Sequence, residues 1–259
     1  MGDLRIERSG HIVTVTIDRP PVNALTLSTY AEIRDIFTAF SDDHTTRAVI
    51  FTGSGSRAFC AGVDLKALDQ RPETIESIER RIDPGLSARE AFRAVYECAV
   101  PVIAAVNGPA LGAGLALVAV CDLIIAADTA TFGAPEINAG VLGASAHMSL
   151  LVGRHKMREL FFLGEPMTAM DLHEAGVVSA VVEASDLLAV ANSFAERLSE
   201  KSPIAMRLAK EALNRVEFLP LWDAYRVEQD YTNRLLTFED SAEARRAFLE
   251  KRKPEWKIS

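Results

Sequence analysis

The chain has 259 residues, of which 49% are apolar and 25% charged, a profile typical of a soluble globular protein. It excludes a disordered chain, a collagen-like chain and a coiled coil. The 28 basic and 36 acidic side chains give a formal net charge of −8, and 7% of the residues are aromatic. Such a chain lacks the positive surface and the stacking platforms that nucleic acids need, so we expect no nucleic-acid partner.

Cysteine and histidine occur in patterns that bind no metal and form no disulfide framework. The three cysteines, Cys60, Cys98 and Cys121, form no Cys-x-x-Cys pair, and their number is odd. This usage predicts a reducing compartment and, since the N-terminus has no apolar signal segment, a cytoplasmic location. No pair of the five histidines has metal-ligand spacing, so we expect no metal site.

One uncharged segment is long enough to resemble a membrane-spanning helix. Residues 98–121 are 24 positions without a charge, more than the roughly 20 that a spanning helix needs. Pro101 and the turn at 107–109 divide this segment into pieces of roughly ten residues. Those lengths suit a buried strand followed by a buried helix, so we expect no membrane partner.

Strand and helix patterns alternate over the first three quarters of the chain. Residues 11–18 alternate apolar and polar side chains as a half-buried strand does, and residues 27–40 follow a helical pattern. Further strands are predicted over 48–53, 102–106, 123–127 and 177–182. Residues 66–90, which are charged and contain prolines, indicate a helical excursion from the core. The alternation predicts an α/β fold.

The last quarter of the chain is charged and helical. Residues 196–259 hold 13 basic and 12 acidic side chains, whereas residues 1–195 hold 15 and 24. Ser202 followed by Pro203 is typical of a helix start, and the apolar spacing after them marks one helix face. Further helical patterns cover 221–236 and 241–251. We therefore divide the chain into a core over 1–195 and a helical region over 196–259.

Glu136 stands alone in a long stretch that lacks charge. Residues 98–153 contain three charged side chains, Asp122, Asp128 and Glu136. A carboxylate in an apolar, Gly-rich surround is expected to have a raised pKa, which suits a general acid or base near neutral pH. A glutamate that reaches solvent from a loop, or caps a helix, would explain the same pattern without catalysis.

Two segments rich in small residues follow predicted strands. Residues 108–116 open an apolar helix with a Gly-rich turn, where free backbone N–H groups favour an anion or a developing oxyanion. Tight packing of the helix on the strand would need the same small residues. Residues 57–66 allow a close backbone approach to a ligand. Cys60 in this segment has apolar neighbours and no nearby histidine, so we predict a buried apolar residue rather than a nucleophile.

Together these segments resemble the crotonase superfamily, also called the enoyl-CoA hydratase/isomerase family, over essentially the whole chain. The matching segments are 18–25 (DRPPVNAL), 58–66, 101–122, 132–140 and 250–254. The resemblance implies a crotonase-like spiral of β-β-α units with a C-terminal helical trimerisation region. It also implies a homotrimer or a dimer of trimers, with no cofactor besides the coenzyme A of the substrate.

The resemblance further implies an acyl-CoA thioester substrate and an enolate-like oxyanion held by two backbone N–H groups. Matched residue by residue, these donors are the N–H groups of Val63 and Ala113. The candidate contacts to CoA are Ala24, Ala61, Asp64, Leu65, Lys66 and Lys253. Lys66 and the basic tail around Lys253 would supply positive charge for the CoA phosphates on an otherwise acidic protein.

The chain departs from the pattern of the hydratases at one glutamate. Typical hydratases of the family carry two glutamates that hold the water; Glu136 matches one, and Ala116 occupies the position of the other. Alanine moves no proton, so the sequence favours an isomerase-like reaction in which Glu136 transfers a proton between C2 and C4. His147 is a second candidate for proton transfer. The alternative is that it is a core or surface histidine without a catalytic role.

Two further functions stay open at this point. The stretch 143–147 resembles that of crotonase relatives that hydrolyse C–C bonds in cyclic ketoacyl-CoAs. The loss of a glutamate at Ala116 also fits a non-catalytic paralogue that binds acyl-CoA, although the presence of Glu136 opposes this.

Overall fold

The computed structural model describes residues 2–64 and 82–257. Its strands are β1 (Leu4–Ser9), β2 (Ile12–Ile17), β3 (Ala48–Gly53), β4 (Val102–Val106), β5 (Ala110–Leu111), β6 (Leu123–Ala127), β7 (Thr131–Gly133), β8 (Met167–Thr168) and β9 (Ala180–Val182). Its helices are α1 (Leu27–Ala39), α2 (Leu86–Tyr96), α3 (Ala113–Ala119), α4 (Ser145–Leu151), α5 (Arg154–Leu163), α6 (Ala169–Glu174), α7 (Leu187–Ser199), α8 (Pro203–Val216), α9 (Leu221–Leu236) and α10 (Glu239–Glu250). A 3₁₀ helix spans Pro135–Ala139.

The main sheet has six strands in the order β1-β2-β3-β4-β6-β9. Strand β1 pairs antiparallel with β2, and the other neighbours are parallel. All residues of β3 and β4 are buried, as expected for central strands of a parallel sheet that is covered on both faces. A small second sheet, in the order β5-β7-β8, lies beside the segment that leads to Glu136.

Two apolar layers cover the two faces of the main sheet. Side chains alternate along a strand, so Val13 and Val15 of β2 belong to one cluster, which includes Ile33 and Phe37 of α1. Ile12 of the same strand belongs to the other cluster, which α7 covers with Leu187, Ala191 and Ala195. This two-sided burial confirms the predicted α/β class.

The predicted strands over 48–53, 102–106 and 123–127 have the observed bounds, and helix α9 spans the predicted residues 221–236. The strand predicted over 177–182 begins later, at Ala180, because the N–H groups of Val177 and Val178 donate to Leu172 C=O at the end of α6. The predicted division after residue 195 falls inside α7, which lies on the sheet. The two-region description of the chain stays a prediction.

The C-terminal helices are tied to the sheet by a partly buried ion pair. Lys210 of α8 is 4% exposed, and its Nζ lies 2.6 Å from Asp122 Oδ2 and 3.2 Å from Val100 C=O. Asp122 Oδ2 also accepts from Val102 N–H, at the start of β4. Ser202 caps α8 as predicted, since its hydroxyl accepts from Ala205 N–H over 3.1 Å.

Within the described ranges, no helix is both long enough and apolar enough to cross a bilayer. The uncharged segment 98–121 forms β4 and α3, the predicted strand and helix, with the short strand β5 between them.

Candidate active site

The first candidate oxyanion donor is the N–H of Val63, and a neighbouring loop fixes its direction. Leu25 N–H donates to Gly62 C=O over 2.8 Å, and Asp64 N–H donates to Leu25 C=O over 2.9 Å. In a trans peptide the C=O and the N–H point in opposite directions, so the bond to Gly62 turns the Val63 N–H away from Leu25. Within the described part of the chain, this N–H has no acceptor.

The second candidate donor, Ala113 N–H, is the first N–H of α3. Gly112, at φ +54°, precedes it, and its C=O accepts from Ala116 N–H over 3.0 Å. The Ala113 N–H therefore points out of the helix start, where α-helices leave N–H groups without intrahelical partners. No described residue accepts it. A Cβ built on Gly62 would lie 3.7 Å from Ala113 N, so the two donor segments lie side by side.

Gly114 allows this close approach of the two donor segments. A Cβ built on Gly114 would overlap the carbonyl of Cys60 and lie 2.8 Å from its Cβ. We expect Gly114→Ala to lower the free energy of unfolding by about 1–3 kcal/mol, because backbone rather than a flexible side chain must move. Denaturant unfolding measures this. Gly153→Ala is the matched control, since its Cβ would meet open space. Equal stability of the two variants would contradict the expectation.

Glu136 lies against the start of α3. The 3₁₀ helix Pro135–Ala139 holds it, and a Cβ built on Gly112 would lie 2.8 Å from the Glu136 carboxyl carbon. A Cβ on Gly143 would lie 3.0 Å from Glu136 Oε1, so two glycines make room for this carboxylate. Glu136 Oε2 is buried and has no hydrogen-bond partner among the described residues.

The surroundings of Glu136 favour its protonated form. Burial raises the pKa of the Glu136 carboxyl above its usual range, and a hydrogen bond from its own N–H opposes that shift. A carboxyl with a raised pKa and an unpartnered oxygen suits a group that takes up and returns a proton near neutral pH. Ala116, one turn into α3 and 1% exposed, has no ionisable group to assist it.

His147 is on α4 and contacts α2. Its ring meets Phe92 of α2 edge to face, with centroids 5.0 Å apart. The ring lines a cavity of about 630 Å³ between α2 and α4, whose described lining does not include Glu136. Burial lowers the pKa of His147, which favours the neutral imidazole.

The described candidates for CoA contact gather on the loop between β2 and α1 and on the segment that it pairs with. Ala24 C=O accepts from Arg19 Nη1 over 2.8 Å, and Ala61 N–H donates to Val22 C=O over 3.0 Å. Asp64 Oδ2 lies 2.9 Å from Arg19 Nη2, so this carboxylate forms an ion pair inside the loop. The loop and the Val63 segment form one continuous edge.

Three further CoA candidates differ in what the structure describes. Leu65 and Lys66 lie outside the described residues. Lys253 is exposed in the tail that follows α10.

Sequence reasoning did not assign roles to Arg19 and Asn23, which hold this loop. Asn23 adopts a left-handed backbone with φ +55° and is buried to 1% exposure. The available signal in the sequence was an asparagine shortly after two prolines, because asparagine tolerates the left-handed conformation that a tight turn can need. Cys60 is buried and its thiol pKa is raised to about 12 by burial, in agreement with its prediction as an apolar core residue. In the described chain, no group of three or more His, Cys, Asp or Glu side chains could hold a metal ion.

Comparison with known proteins places this chain in a family. A family model described as enoyl-CoA hydratase/isomerase matches residues 7–259. The (7aS)-7a-methyl-1,5-dioxo-2,3,5,6,7,7a-hexahydro-1H-indene-carboxyl-CoA hydrolase of Mycobacterium tuberculosis H37Rv is 43% identical over 93% of this chain and 95% of its own. The protein of the same name from Rhodococcus jostii RHA1 is 38% identical over 94% and 92%.

A solved structure agrees with these sequence matches. The crystal structure of an enoyl-CoA hydratase from Bacillus anthracis superposes with a TM-score of 0.91 at 32% identity, covering 99% of this chain and 100% of that one. The chain therefore belongs to the enoyl-CoA hydratase/isomerase family, and it is an enzyme of that family with the crotonase fold.

Proposed function

We propose that this enzyme hydrolyses a carbon–carbon bond in a CoA thioester whose acyl group is a cyclic ketone. The observation that carries the proposal is one half-buried carboxylate, Glu136, whose buried Oε2 has no partner among the described residues and which lies against the helix start that provides Ala113 N–H, while Ala116 replaces a second carboxylate. One acid/base group and two oxyanion donors suffice for this reaction.

Similarity to named relatives supports the hydrolase over a hydratase. Two relatives named as hydrolases of a dioxo-indene carboxyl-CoA are 43% and 38% identical, against 34% and 36% for relatives named as enoyl-CoA hydratases. Hydration by the two-glutamate arrangement is disfavoured by Ala116. The sequence-based preference for isomerisation stays a prediction, and the hydrolase, which the sequence left as an alternative, takes its place as the leading proposal.

The reaction begins with water and Glu136. The carboxylate takes a proton from a water molecule as its oxygen adds to the ring ketone carbon. The bond from that carbon to the neighbouring ring carbon then breaks, and its electron pair moves into the conjugated thioester as an enolate. The former ketone carbon, now bonded to the oxygen of water, becomes a carboxylic acid. Glu136 then returns the proton to the neighbouring ring carbon, whose bond to the ketone carbon has broken.

The two backbone donors act on the enolate. Negative charge collects on the thioester oxygen, and the N–H groups of Val63 and Ala113 hold it without having to reorganise. Removing one donor of this kind typically costs about 10²–10³-fold in turnover. The free N–H groups at Val63 and Ala113 support this role.

A double-bond isomerase is the second candidate, and the single carboxylate Glu136 favours it. Removal of a proton from C2 of a 3-enoyl thioester generates a conjugated dienolate, the kind of intermediate that cleavage of the carbon–carbon bond also gives. Glu136 would then return the proton to C4. The two reactions differ in whether water enters the product.

Product analysis separates the candidates. The enzyme is incubated in H₂¹⁸O with the dioxo-indene carboxyl-CoA named for the relatives, with 3-hexenoyl-CoA and with crotonyl-CoA, and the products are weighed by mass spectrometry. We expect the cyclic substrate to gain one water, to keep its CoA and to carry ¹⁸O in a new carboxylate.

Each of the other outcomes would favour a different function. Release of free CoA thiol, detected with a thiol reagent, would mean thioester cleavage and overturn the proposal. A product of unchanged mass from 3-hexenoyl-CoA, with the cyclic substrate intact, would favour the isomerase. Binding of all three thioesters without turnover would favour the non-catalytic paralogue.

The remaining site residues enter as proposals. We infer that Ala24, Ala61 and Asp64 border the CoA moiety, because they share one edge with Val63. Leu65, Lys66 and Lys253 keep the CoA roles that the family resemblance implies. His147, neutral and facing the cavity between α2 and α4, is proposed as a second proton-transfer group toward the acyl end. A cytoplasmic location also stays a prediction.

We propose a homotrimer or a dimer of trimers, because the helical region exposes large apolar side chains. Phe218, Leu221, Trp222, Phe248 and Leu249 are each more than 70% exposed in the single chain. Apolar surface on this scale marks an interface. Light scattering should give about three or six times the chain mass of 28.2 kDa.

A charge placed on this surface tests the assembly. We expect Trp222→Lys to lower the measured mass, while Asp223→Lys, at an exposed polar position of the same helix about 100° away from Trp222, leaves it unchanged. A wild-type mass of one chain at micromolar concentration would refute the assembly.

A further inference from the structure

We propose that Asn23, whose side chain is buried, is a positioning residue for the oxyanion donor Val63. The inference rests on the proposed placement of the thioester oxygen at the N–H groups of Val63 and Ala113. It assigns a function to a residue of the β2–α1 loop that the acid/base chemistry does not use.

The side-chain amide of Asn23 makes four hydrogen bonds to three separate parts of the chain. Its Nδ2 donates to Ser54 C=O over 3.0 Å and to Ala58 C=O over 2.9 Å. Its Oδ1 accepts from Arg19 N–H and from Ser54 Oγ, each over 3.2 Å. A primary amide has two donor hydrogens and one acceptor oxygen with two lone pairs, so every site is used.

These bonds fix the position of the loop that contacts the peptide group between Gly62 and Val63. Asn23 joins the loop to the end of β3 and to the segment that runs from Ala58 to the donor. Two residues later, Leu25 pairs with Gly62 and Asp64 on either side of Val63. Since Leu25 N–H holds Gly62 C=O, the position of the loop sets the direction of the Val63 N–H.

Arg19 closes the same loop from outside. Its Nη1 donates to Ala24 C=O over 2.8 Å, and its Nη2 lies 2.9 Å from Asp64 Oδ2. Its own backbone N–H is held by Asn23 Oδ1. The amide of Asn23 therefore fixes Arg19 and the loop, which together contact Gly62 and Asp64, the residues on either side of Val63.

Asn23→Asp is the direct test, because aspartate keeps the shape and removes both donors. Its carboxylate would face the carbonyl oxygens of Ser54 and Ala58, so we expect the loop to shift. Asn23→Gly is the second variant, since glycine keeps the left-handed backbone at φ +55° and removes the amide. Asn214→Asp, where an amide donates to Tyr96 C=O far along the chain, is the matched control.

The probes are hexanoyl-CoA and its thioether analogue S-hexyl-CoA, which lacks the carbonyl oxygen. In the Asn23 variants we expect the affinity for hexanoyl-CoA to fall at least about tenfold, because a polarising hydrogen bond is lost. Affinity for S-hexyl-CoA should fall clearly less than that for hexanoyl-CoA, because the thioether loses only what the shifted loop contributes to CoA contact and has no carbonyl oxygen to lose a hydrogen bond. The infrared band of the bound thioester carbonyl should move toward its frequency in free hexanoyl-CoA.

The outcomes decide between positioning and support of the fold. Equal loss of affinity for both probes, or an unchanged carbonyl band in a folded variant, would overturn the proposal. If Asn23→Asp does not fold, Asn23→Gly supplies the same comparison. Because hexanoyl-CoA has no ring, this result is independent of whether the enzyme hydrolyses a carbon–carbon bond.

Discussion

Replacement of Glu136 by glutamine should lower turnover at least about 10²-fold, the usual share of a positioned acid/base group. Glutamine keeps the shape of the side chain and removes the proton acceptor. Acyl-CoA affinity should change little, because the proposed CoA contacts lie on the β2–α1 loop and not on the 3₁₀ helix that holds Glu136. Turnover and acyl-CoA affinity are measured on one preparation.

The same variant should be at least as stable as wild type, with a difference that grows with pH. Burial raises the pKa of Glu136 in the folded state, so folding favours its neutral form. Its contribution to stability is therefore fully present below the unfolded pKa of about 4.3 and is lost as pH rises through the folded pKa. The thermal midpoint of Glu136→Gln relative to wild type should increase from acid to neutral pH.

The pH profile of the wild-type enzyme reports the same group. The proposed base works as a carboxylate, so kcat/KM should fall as pH drops through the raised pKa of Glu136. Glu183→Gln, at an exposed glutamate beyond β9, is the control and should leave both profile and stability unchanged. A destabilised Glu136→Gln enzyme with near-normal specific activity would remove Glu136 from the mechanism and leave His147 as the next candidate.

Periodicity predicted the central strands well, because their environment is uniform. Strands β3, β4 and β6 are short apolar runs between turn residues, and burial on both faces is what such runs predict. Strand β1 was not predicted, since most of its residues are exposed and its pairing with β2 depends on contacts that a local pattern does not contain. The two-residue strands β5 and β8 are too short to carry any period.

The site was predictable where one residue carries the signal, and not where several segments must meet. Glu136 stands out because its neighbours in sequence carry no charge, and the structure gives it a buried, unpartnered oxygen. The direction of the Val63 N–H depends on Leu25, and the position of Leu25 depends on the hydrogen bonds of Asn23. These contacts join segments that are distant in sequence, so no local spacing pattern reveals them. The position of His147 beside Phe92 likewise depends on how the tertiary fold places α4 relative to α2.

Hydration of crotonyl-CoA by the wild-type enzyme should run below about 1 s⁻¹, the lower end of common enzymatic turnover. Hydration needs a water held and deprotonated on one side of the double bond and a proton delivered to the other. Glu136 supplies one carboxylate, and Ala116 supplies none. Loss of the enoyl absorbance measures the rate.

A glutamate restored at position 116 should raise crotonyl-CoA hydration by about 10²-fold or more, the usual gain from a positioned proton-transfer group. Ala116→Gln is the matched control, because it has the same size and cannot move the proton. Ala116 is 1% exposed, so the thermal midpoints of both variants must first show that the helix accepts the larger side chain. Fast hydration by the wild-type enzyme would refute the single-carboxylate mechanism, and equal rates in folded Ala116→Glu and Ala116→Gln enzymes would show that this position does not limit hydration.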